Sequence, residues 1–241
     1  MKRYIKFLAV FSCNYNTIVK FIKSYVILLE MSEIEIVIWD LGNVLMGSDM
    51  DRIVENFSQI TGLTNGVVDE LLFGGYTTMR TDTPFYNFSI GKITPNEFYN
   101  ELKEILRANF SYRDCIEAWE NNFYPMGGMI DLYQQVAERF VERIGILSDC
   151  DPVHIDFIER NFPDVRKCIY DAAIRVYSFR EGLKKPNPEI YRRTMLKMED
   201  AVGKTIRPCE FLFIDDKEAN VNAALECGWQ GVVFEDKEQF A

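Results

Sequence analysis

Short runs of apolar residues recur along the chain, and segments with helical spacing of apolar positions separate them. The clearest runs cover residues 34–39, 144–147, 211–214 and 231–234, and a weaker one covers residues 174–178. Short apolar runs of this kind are typical of parallel strands that are buried on both faces. Between them, Asp151-Pro152 and Asn187-Pro188 each place an N-cap residue before a proline, which is a helix-start signal. The pattern predicts an α/β fold with a doubly wound, mostly parallel, Rossmann-like sheet.

The first two apolar runs lie about a hundred residues apart, far more than one crossover helix needs. Residues 48–130, which fill most of this gap, carry helical signals instead, such as the capping-box spacing of Thr94 and Glu97. We therefore predict an α/β core domain of residues 34–47 and 131–241 that carries an inserted helical cap of residues 48–130.

The start of the chain differs from the rest in charge. Residues 1–30 hold five basic residues and one acidic residue, whereas the whole chain has a formal net charge of −10. The apolar run after the basic start, Phe7 to Phe11, is shorter than the apolar region of a usual signal peptide. No stretch reaches the ~20 apolar residues of a membrane span. We interpret residues 1–33 as an extension that the fold does not need, with Met31 as a candidate start, in preference to an export signal.

Charge, cysteine and histidine content narrow the class of protein. A net charge of −10 without a local cluster of Lys and Arg argues against a nucleic-acid partner. The six cysteines contain no CxxC pair, so reduced thiols in a cytoplasmic protein are the simplest interpretation. His154 is the only histidine, and we expect it on the surface or in helix packing. Without a multi-histidine site, a bound metal would be a hard, oxygen-ligated cation such as Mg²⁺.

Chemically active side chains follow the predicted strands. In open α/β sheets, ligands bind beyond the carboxyl ends of the strands. Those ends carry four carboxylates and a hydroxyl, contributed by Asp40, Ser148, Asp149, Asp215 and Asp216. The loop sequence "GLKKPNPEIY" adds Lys184 and Lys185 just before a predicted helix. Because a buried carboxylate is costly unless it is paired, this grouping predicts a site in which a cation or a lysine neutralises the acids.

The same segments resemble the four motifs of the haloacid dehalogenase-like superfamily. The motifs are "DLGNVL" after the first apolar run, "LS" at the end of the second, "KKPNPEIY" before a predicted helix and "FIDD" at the end of the fourth run along the chain. They occur in the order of the superfamily motifs over about residues 34–236. The first motif with a helical insertion behind it looks most like the bacterial subgroup that includes sugar-1-phosphate phosphatases. The resemblance implies a cytoplasmic, Mg²⁺-dependent phosphatase for a small phosphorylated metabolite, with a sugar phosphate favoured. It leaves the oligomeric state open.

The resemblance also implies roles for individual residues around a metal. Asp40 would be the catalytic nucleophile that takes the phosphoryl group as an aspartyl-phosphate. Asp40, the Gly42 carbonyl and Asp216 would bind Mg²⁺, and Asp215 would support them from beside the ion.

The remaining implied roles concern the phosphate. Lys185 would neutralise its charge, with Lys184 as a competitor for that role. The Ser148 hydroxyl and the backbone N–H groups after it would hold the phosphate oxygens, which places Asp149 at the phosphate pocket.

Two positions depart from the pattern of the superfamily. Most of its phosphatases carry a second aspartate two residues after the nucleophile, which protonates the leaving oxygen, and here that residue is Gly42. Asp49 in the next loop is one candidate substitute. Asp149 stands where relatives usually have asparagine, and its charge would disfavour phosphate unless it binds another group.

These departures motivate two alternatives to a phosphatase. One is a catalytically degenerate binding or regulatory protein on the same scaffold. The other is a metal-independent 2-haloacid dehalogenase, which the adjacent acids Asp215 and Asp216 argue against because unpaired carboxylates would repel a carboxylate substrate.

Overall fold

A five-stranded parallel sheet forms the centre of the protein. The computed structural model describes residues 34–74, 81 and 83–235, so the extension predicted at residues 1–33 lies outside the described residues. The strands are β1 (Ile36–Trp39), β2 (Met46–Ser48), β3 (Phe123–Pro125), β4 (Ile144–Ser148), β5 (Ile174–Tyr177), β6 (Phe211–Asp215) and β7 (Gln230–Val233). The large sheet has the order β5-β4-β1-β6-β7, and all its pairings are parallel. Every apolar run singled out in the sequence forms one of its strands, which confirms the predicted fold class.

Helices cover both faces of this sheet. The helices of the described residues are α1 (Met50–Thr61), α2 (Asn65–Phe73), α3 (Pro84–Ser89), α4 (Pro95–Leu106), α5 (Tyr112–Glu120), α6 (Met129–Arg139), α7 (Pro152–Asn161), α8 (Pro163–Asp171), α9 (Ser178–Glu181), α10 (Pro188–Val202) and α11 (Glu218–Glu226). Residues of α6, α7 and α8 pack with Val37 and Trp39 on one face, and residues of α10 and α11 pack with Ile36 and Ile38 on the other. Alternate residues of β1 therefore face opposite helical layers.

Several helix starts follow from capping residues that the sequence indicates. Asp151 accepts the N–H groups of Val153 and His154 at the start of α7, and Asn187 accepts that of Glu189 at the start of α10. Thr94 and Glu97 form the predicted capping box of α4. These local bonds satisfy N–H groups that a helix end otherwise leaves without partners.

Helices α1 to α5 form a layer with its own apolar cluster. Phe98 lies at its centre, with its ring 4.3 Å from that of Phe88 and 4.7 Å from that of Trp119 between ring centroids. Val153 of α7 joins this cluster, so the layer packs directly on the core. The limits of core and cap at residues 47/48 and 130/131 stay a prediction.

Two short strands, which the sequence did not indicate, connect this helical layer to the core. Antiparallel β2 and β3 pair Gly47 with Tyr124, and we call them the linker ribbon. A Cβ atom at Gly47 would lie 2.1 Å from the Tyr124 ring, so only glycine permits this close approach. The two chain segments that enter and leave the cap are thus held together.

The cap is attached to the core at two further places. The Ser178 hydroxyl of α9 donates to the Ser89 carbonyl of α3 over 2.6 Å. At the second place of attachment, Trp119 of α5 donates its indole N–H to Asp151 Oδ2 over 3.0 Å. The Trp119 ring also stacks on His154, with ring centroids 5.1 Å apart. No helix within the described part of the chain is long and apolar enough to cross a membrane.

His154 is buried in this contact, so the packing interpretation of it is right and the surface alternative is wrong. Its Nδ1 lies 2.8 Å from Asp151 Oδ2, and its Nε2 lies 2.9 Å from the Trp119 carbonyl oxygen. Both neighbours are acceptors, and both ring nitrogens can donate only when the imidazole is protonated, so this geometry favours the charged form. Burial lowers the pKa of His154, but Asp151, the Trp119 carbonyl and Glu120 raise it by more, and the net shift is upward.

This raised pKa makes stability depend on pH. The charge on His154 stabilises the fold fully below about pH 6.5, the pKa of an unfolded-chain histidine, and the contribution is lost as pH rises through the raised folded pKa. Within that window we expect the free energy of unfolding to fall by up to about 1.4 kcal/mol per pH unit. Urea unfolding of the wild type and of His154→Gln between pH 6 and 9 measures this pH dependence of the free energy of unfolding. Equal pH slopes for the two proteins would contradict the prediction.

Candidate active site

Three neighbouring strands end at the same edge of the sheet and bring the predicted site residues together. Strand β1 lies between β4 and β6, with Trp39 opposite Ile146 on one side and Ile214 on the other. Asp40, Ser148 and Asp215 therefore leave the sheet side by side, and all three are buried. The parallel topology alone accounts for their convergence.

Lys185 is the cation of this site. Its side chain is 1% exposed, and its Nζ lies 2.6 Å from Asp215 Oδ2 and 3.1 Å from Asp40 Oδ1. It also donates to the Leu147 carbonyl at the end of β4 over 3.1 Å. Burial lowers the pKa of Lys185, but the charges of Asp40 and Asp215 outweigh this and raise it. The ammonium group is therefore a fixed positive charge between two carboxylates.

Asp215 is fully occupied by protein donors. Its Oδ1 accepts the Lys217 N–H over 2.8 Å and the Asn220 amide over 2.9 Å, while its Oδ2 accepts Lys185. Burial raises the pKa of Asp215, yet Lys185 and these hydrogen bonds lower it by more. A carboxylate with both oxygens engaged is suited to hold Lys185 in place.

Asp40 and Asp216 each keep a carboxylate oxygen without a hydrogen-bond donor from the described residues. Asp40 Oδ1 accepts the N–H of the adjacent Leu41 over 2.7 Å and also faces Lys185. Oδ2 of Asp40 is therefore the oxygen without a donor. Asp216 Oδ2 accepts only the Asn43 amide over 3.2 Å, which leaves Oδ1. Asp40 and Asp216, which carry these two free oxygens, lie next to each other in the fold.

The charges of the site fit a divalent cation. One oxygen each of Asp40, Asp215 and Asp216 lies within 4.8 Å of the others, and among the described residues Lys185 is the one ammonium that forms ion pairs with them. Burial raises the pKa of Asp40 to about 7, with the charges of Asp215 and Asp216 adding to it and that of Lys185 opposing it. When all three carboxylates are ionised, they leave an excess of two negative charges over the Lys185 ammonium, which a hard cation with oxygen ligands would neutralise.

Residues around the carboxylates complete the site. The Ser148 hydroxyl makes no hydrogen bond within the described residues, although Ser148 is buried. Asp149 Oδ1 accepts the Lys185 backbone N–H over 3.0 Å, so this departure from the usual asparagine binds the loop that carries Lys185. Lys184 contacts the cap instead, with its Nζ 5.2 Å from the Phe85 ring centre and 5.7 Å from that of Tyr86.

No carboxylate lies at the position of the usual second aspartate. A Cβ atom at Gly42 would meet only Ser48 Cβ, at 3.9 Å, so a side chain would fit there. Asp49, considered as a substitute, uses Oδ1 to cap α1 by accepting the N–H groups of Asp51 and Arg52. Two further contributors, Asn43 and Asn220, were not assigned roles from the sequence, because only the fold reveals which acids their amides reach.

Comparison with known proteins agrees with this geometry. The model of the family described as haloacid dehalogenase-like hydrolase matches residues 34–228. The chain belongs to the haloacid dehalogenase-like hydrolases. Flavin mononucleotide hydrolase 1 of Arabidopsis thaliana is 30% identical over 140 residues, which are 58% of this chain and 47% of that protein. This hydrolase therefore spans about half the length of that relative.

A curated protein and a crystal structure from Bacteroides thetaiotaomicron are similar over more of their length. Its D-ribitol-5-phosphate phosphatase is 25% identical over 80% of this chain and 88% of that protein. A crystal structure of a family enzyme from the same organism, in complex with magnesium and inorganic phosphate, has a TM-score of 0.67 and 26% identity, and covers 84% of this chain and 94% of that one. The superfamily resemblance noted in the sequence is confirmed.

Proposed function

We propose that this hydrolase is a phosphatase that transfers the phosphoryl group of a small phosphorylated metabolite to Asp40 and then to water. The observation that carries the proposal is the state of Asp40, a buried carboxylate with Oδ1 fixed by Lys185 and Leu41 and with Oδ2 free. A carboxylate oxygen with this freedom can attack phosphorus, and the resulting aspartyl-phosphate splits one difficult step into two easier ones.

The surrounding residues have roles that follow from their charges and donors. Lys185 offsets the charge that gathers on Asp40 and the phosphate, and Asp215 keeps the ammonium in place. The Ser148 hydroxyl is available to a phosphate oxygen. Asp40, the Gly42 carbonyl and Asp216 would hold Mg²⁺, with Asp215 beside them. Bound there, Mg²⁺ supplies the positive charge that lets a carboxylate approach a phosphate dianion.

The substrate class is a phosphorylated sugar or polyol. The names of the two curated relatives support it, since D-ribitol 5-phosphate and flavin mononucleotide both carry a phosphate on the end of a ribityl chain. The glycine at position 42 favours a good leaving group, such as the anomeric oxygen of a sugar 1-phosphate, because the expected general acid is absent.

The cytoplasmic location stays a prediction. The described cysteines are Cys115, Cys150, Cys168, Cys209 and Cys227, and all of them are free.

Phosphate release from a substrate panel tests the proposal. The panel contains D-ribitol 5-phosphate, flavin mononucleotide, glucose 1-phosphate and 2-chloropropionate, each with Mg²⁺ and with a chelator. We expect phosphate release that requires Mg²⁺, and no halide release. Tight binding of a phosphate ester without turnover would favour the degenerate binding protein, and metal-independent halide release would favour the dehalogenase.

Restoring an acid at position 42 tests the interpretation of the leaving group. Gly42→Asp fits sterically, because an added Cβ meets only Ser48 Cβ at 3.9 Å. We expect kcat for D-ribitol 5-phosphate to rise by up to about 10²-fold, since a positioned acid can protonate the alkoxide. kcat for p-nitrophenyl phosphate should change little, because its leaving group needs no proton. A similar change for both esters would contradict the interpretation.

A further inference from the structure

Asn43 occupies a backbone conformation that few residues adopt. Its φ is 54°, in the left-handed region, and its N–H donates to the Met46 carbonyl over 2.6 Å to close a tight turn after Asp40. Asparagine tolerates this region better than most residues with a side chain, and glycine tolerates it best. A turn alone would therefore be served equally well by glycine, so the Asn43 side chain needs a separate explanation.

The hydrogen bonds of the Asn43 side chain fix its orientation. Its Oδ1 accepts the backbone N–H of Ser48 over 3.0 Å. A backbone N–H can only donate, so the amide oxygen must face Ser48 and the NH₂ group must face Asp216 Oδ2, 3.2 Å away. Asn43 thus holds one oxygen of Asp216 and leaves the other toward Asp40.

The same residue is tied to the linker ribbon. Ser48 belongs to β2, and its hydroxyl accepts the side-chain amide of Asn122 over 3.2 Å. Asn122 is 0% exposed and its carbonyl accepts the Asp49 N–H over 2.9 Å, so it joins the outgoing cap segment to the incoming one. A continuous series of hydrogen bonds runs from Asp216 through Asn43 and Ser48 to Asn122.

We propose that Asn43 is a positioning residue that orients Asp216 for the divalent cation and couples this carboxylate to the linker ribbon of the cap. The proposal rests on the proposed function, since it needs Asp216 to hold a metal. The Ser48 N–H belongs to the linker ribbon that joins cap and core, and the Asp216 carboxylate belongs to the core. A change in the ribbon therefore alters the donor that holds Asp216, and metal binding in turn favours one conformation of the ribbon.

Asn43→Gly tests the positioning role, because it keeps the left-handed turn and removes only the amide. We expect the Kd for Mg²⁺, measured by calorimetry without substrate, to rise about 10- to 100-fold. At saturating Mg²⁺, kcat should recover most of its wild-type value. Arg107→Gly is the matched control, since Arg107 also has a positive φ, 49°, and is an exposed residue at the end of α4. It should leave the Kd for Mg²⁺ unchanged.

Amide hydrogen exchange tests the coupling in the unmodified protein. Mg²⁺ should slow exchange of the Ser48 amide in the wild type, and this protection should disappear in Asn43→Gly. An unchanged Kd for Mg²⁺ in a folded Asn43→Gly variant would overturn the proposal. So would a wild-type Ser48 amide whose exchange rate does not change with Mg²⁺. Either result would leave the phosphatase assignment intact, because that assignment fails only if the wild type releases no phosphate or Asp40→Asn retains activity.

Discussion

Asp40→Asn should abolish phosphate release while leaving the protein folded. The amide cannot attack phosphorus as a carboxylate can, and loss of a nucleophile costs more than about 10³-fold in kcat. Phosphate release in the presence of Mg²⁺, with the best substrate of the panel, measures the loss.

The fold should survive this change because Lys185 keeps Asp215 and the Leu147 carbonyl as partners. Removing one of three crowded carboxylates should hold or raise the midpoint of thermal unfolding measured without metal. Asp164→Asn is a suitable control, since Asp164 is an exposed acid in the first turn of α8. Substantial activity in a folded Asp40→Asn variant would refute the assignment of the nucleophile.

Lys185→Gln should destabilise the protein by about 3–5 kcal/mol and remove its activity. The substitution leaves the buried carboxylates of Asp40 and Asp215 without their ammonium partner, and an uncompensated buried charge is costly. Urea unfolding gives the change in free energy, and phosphate release gives the change in activity.

Lys184→Gln is the matched control for that experiment, because the two lysines are adjacent in sequence. Lys184 contacts the Phe85 and Tyr86 rings of the cap rather than the carboxylates, so its loss should cost about 1 kcal/mol or less of stability. The reverse order of effects would show that Lys184 is the lysine of the site.

The sheet and its strand-end residues were predictable because their signals are local. Five apolar runs each form a strand, and the parallel arrangement then brings Asp40, Ser148 and Asp215 to one edge. The competition between Lys184 and Lys185 was not decidable from spacing, since both precede the same proline. In the fold, the Lys185 ammonium contacts Asp40 and Asp215, and Asp149 holds the loop by the Lys185 N–H.

The contacts that sequence patterns did not indicate are those between distant segments of mixed polarity. The linker ribbon pairs residues 46–48 with residues 123–125, and three-residue strands carry too little periodicity to be recognised. His154 gave no sign of its partner Trp119, because the two belong to different layers. Asn43 lay within the first motif, yet its bond to Asp216 spans 173 positions of the chain.

The separate attachments of the cap limit how far it can shift against the sheet. The helical layer is fastened to the sheet through Ser89 and Ser178 at one place and through Trp119 and Asp151 at another, in addition to its linkers. Because these fastenings join segments that are distant in sequence, a large displacement of the helical layer would have to break at least one of them. The architecture therefore favours small adjustments within the linker ribbon over a separation of the two layers.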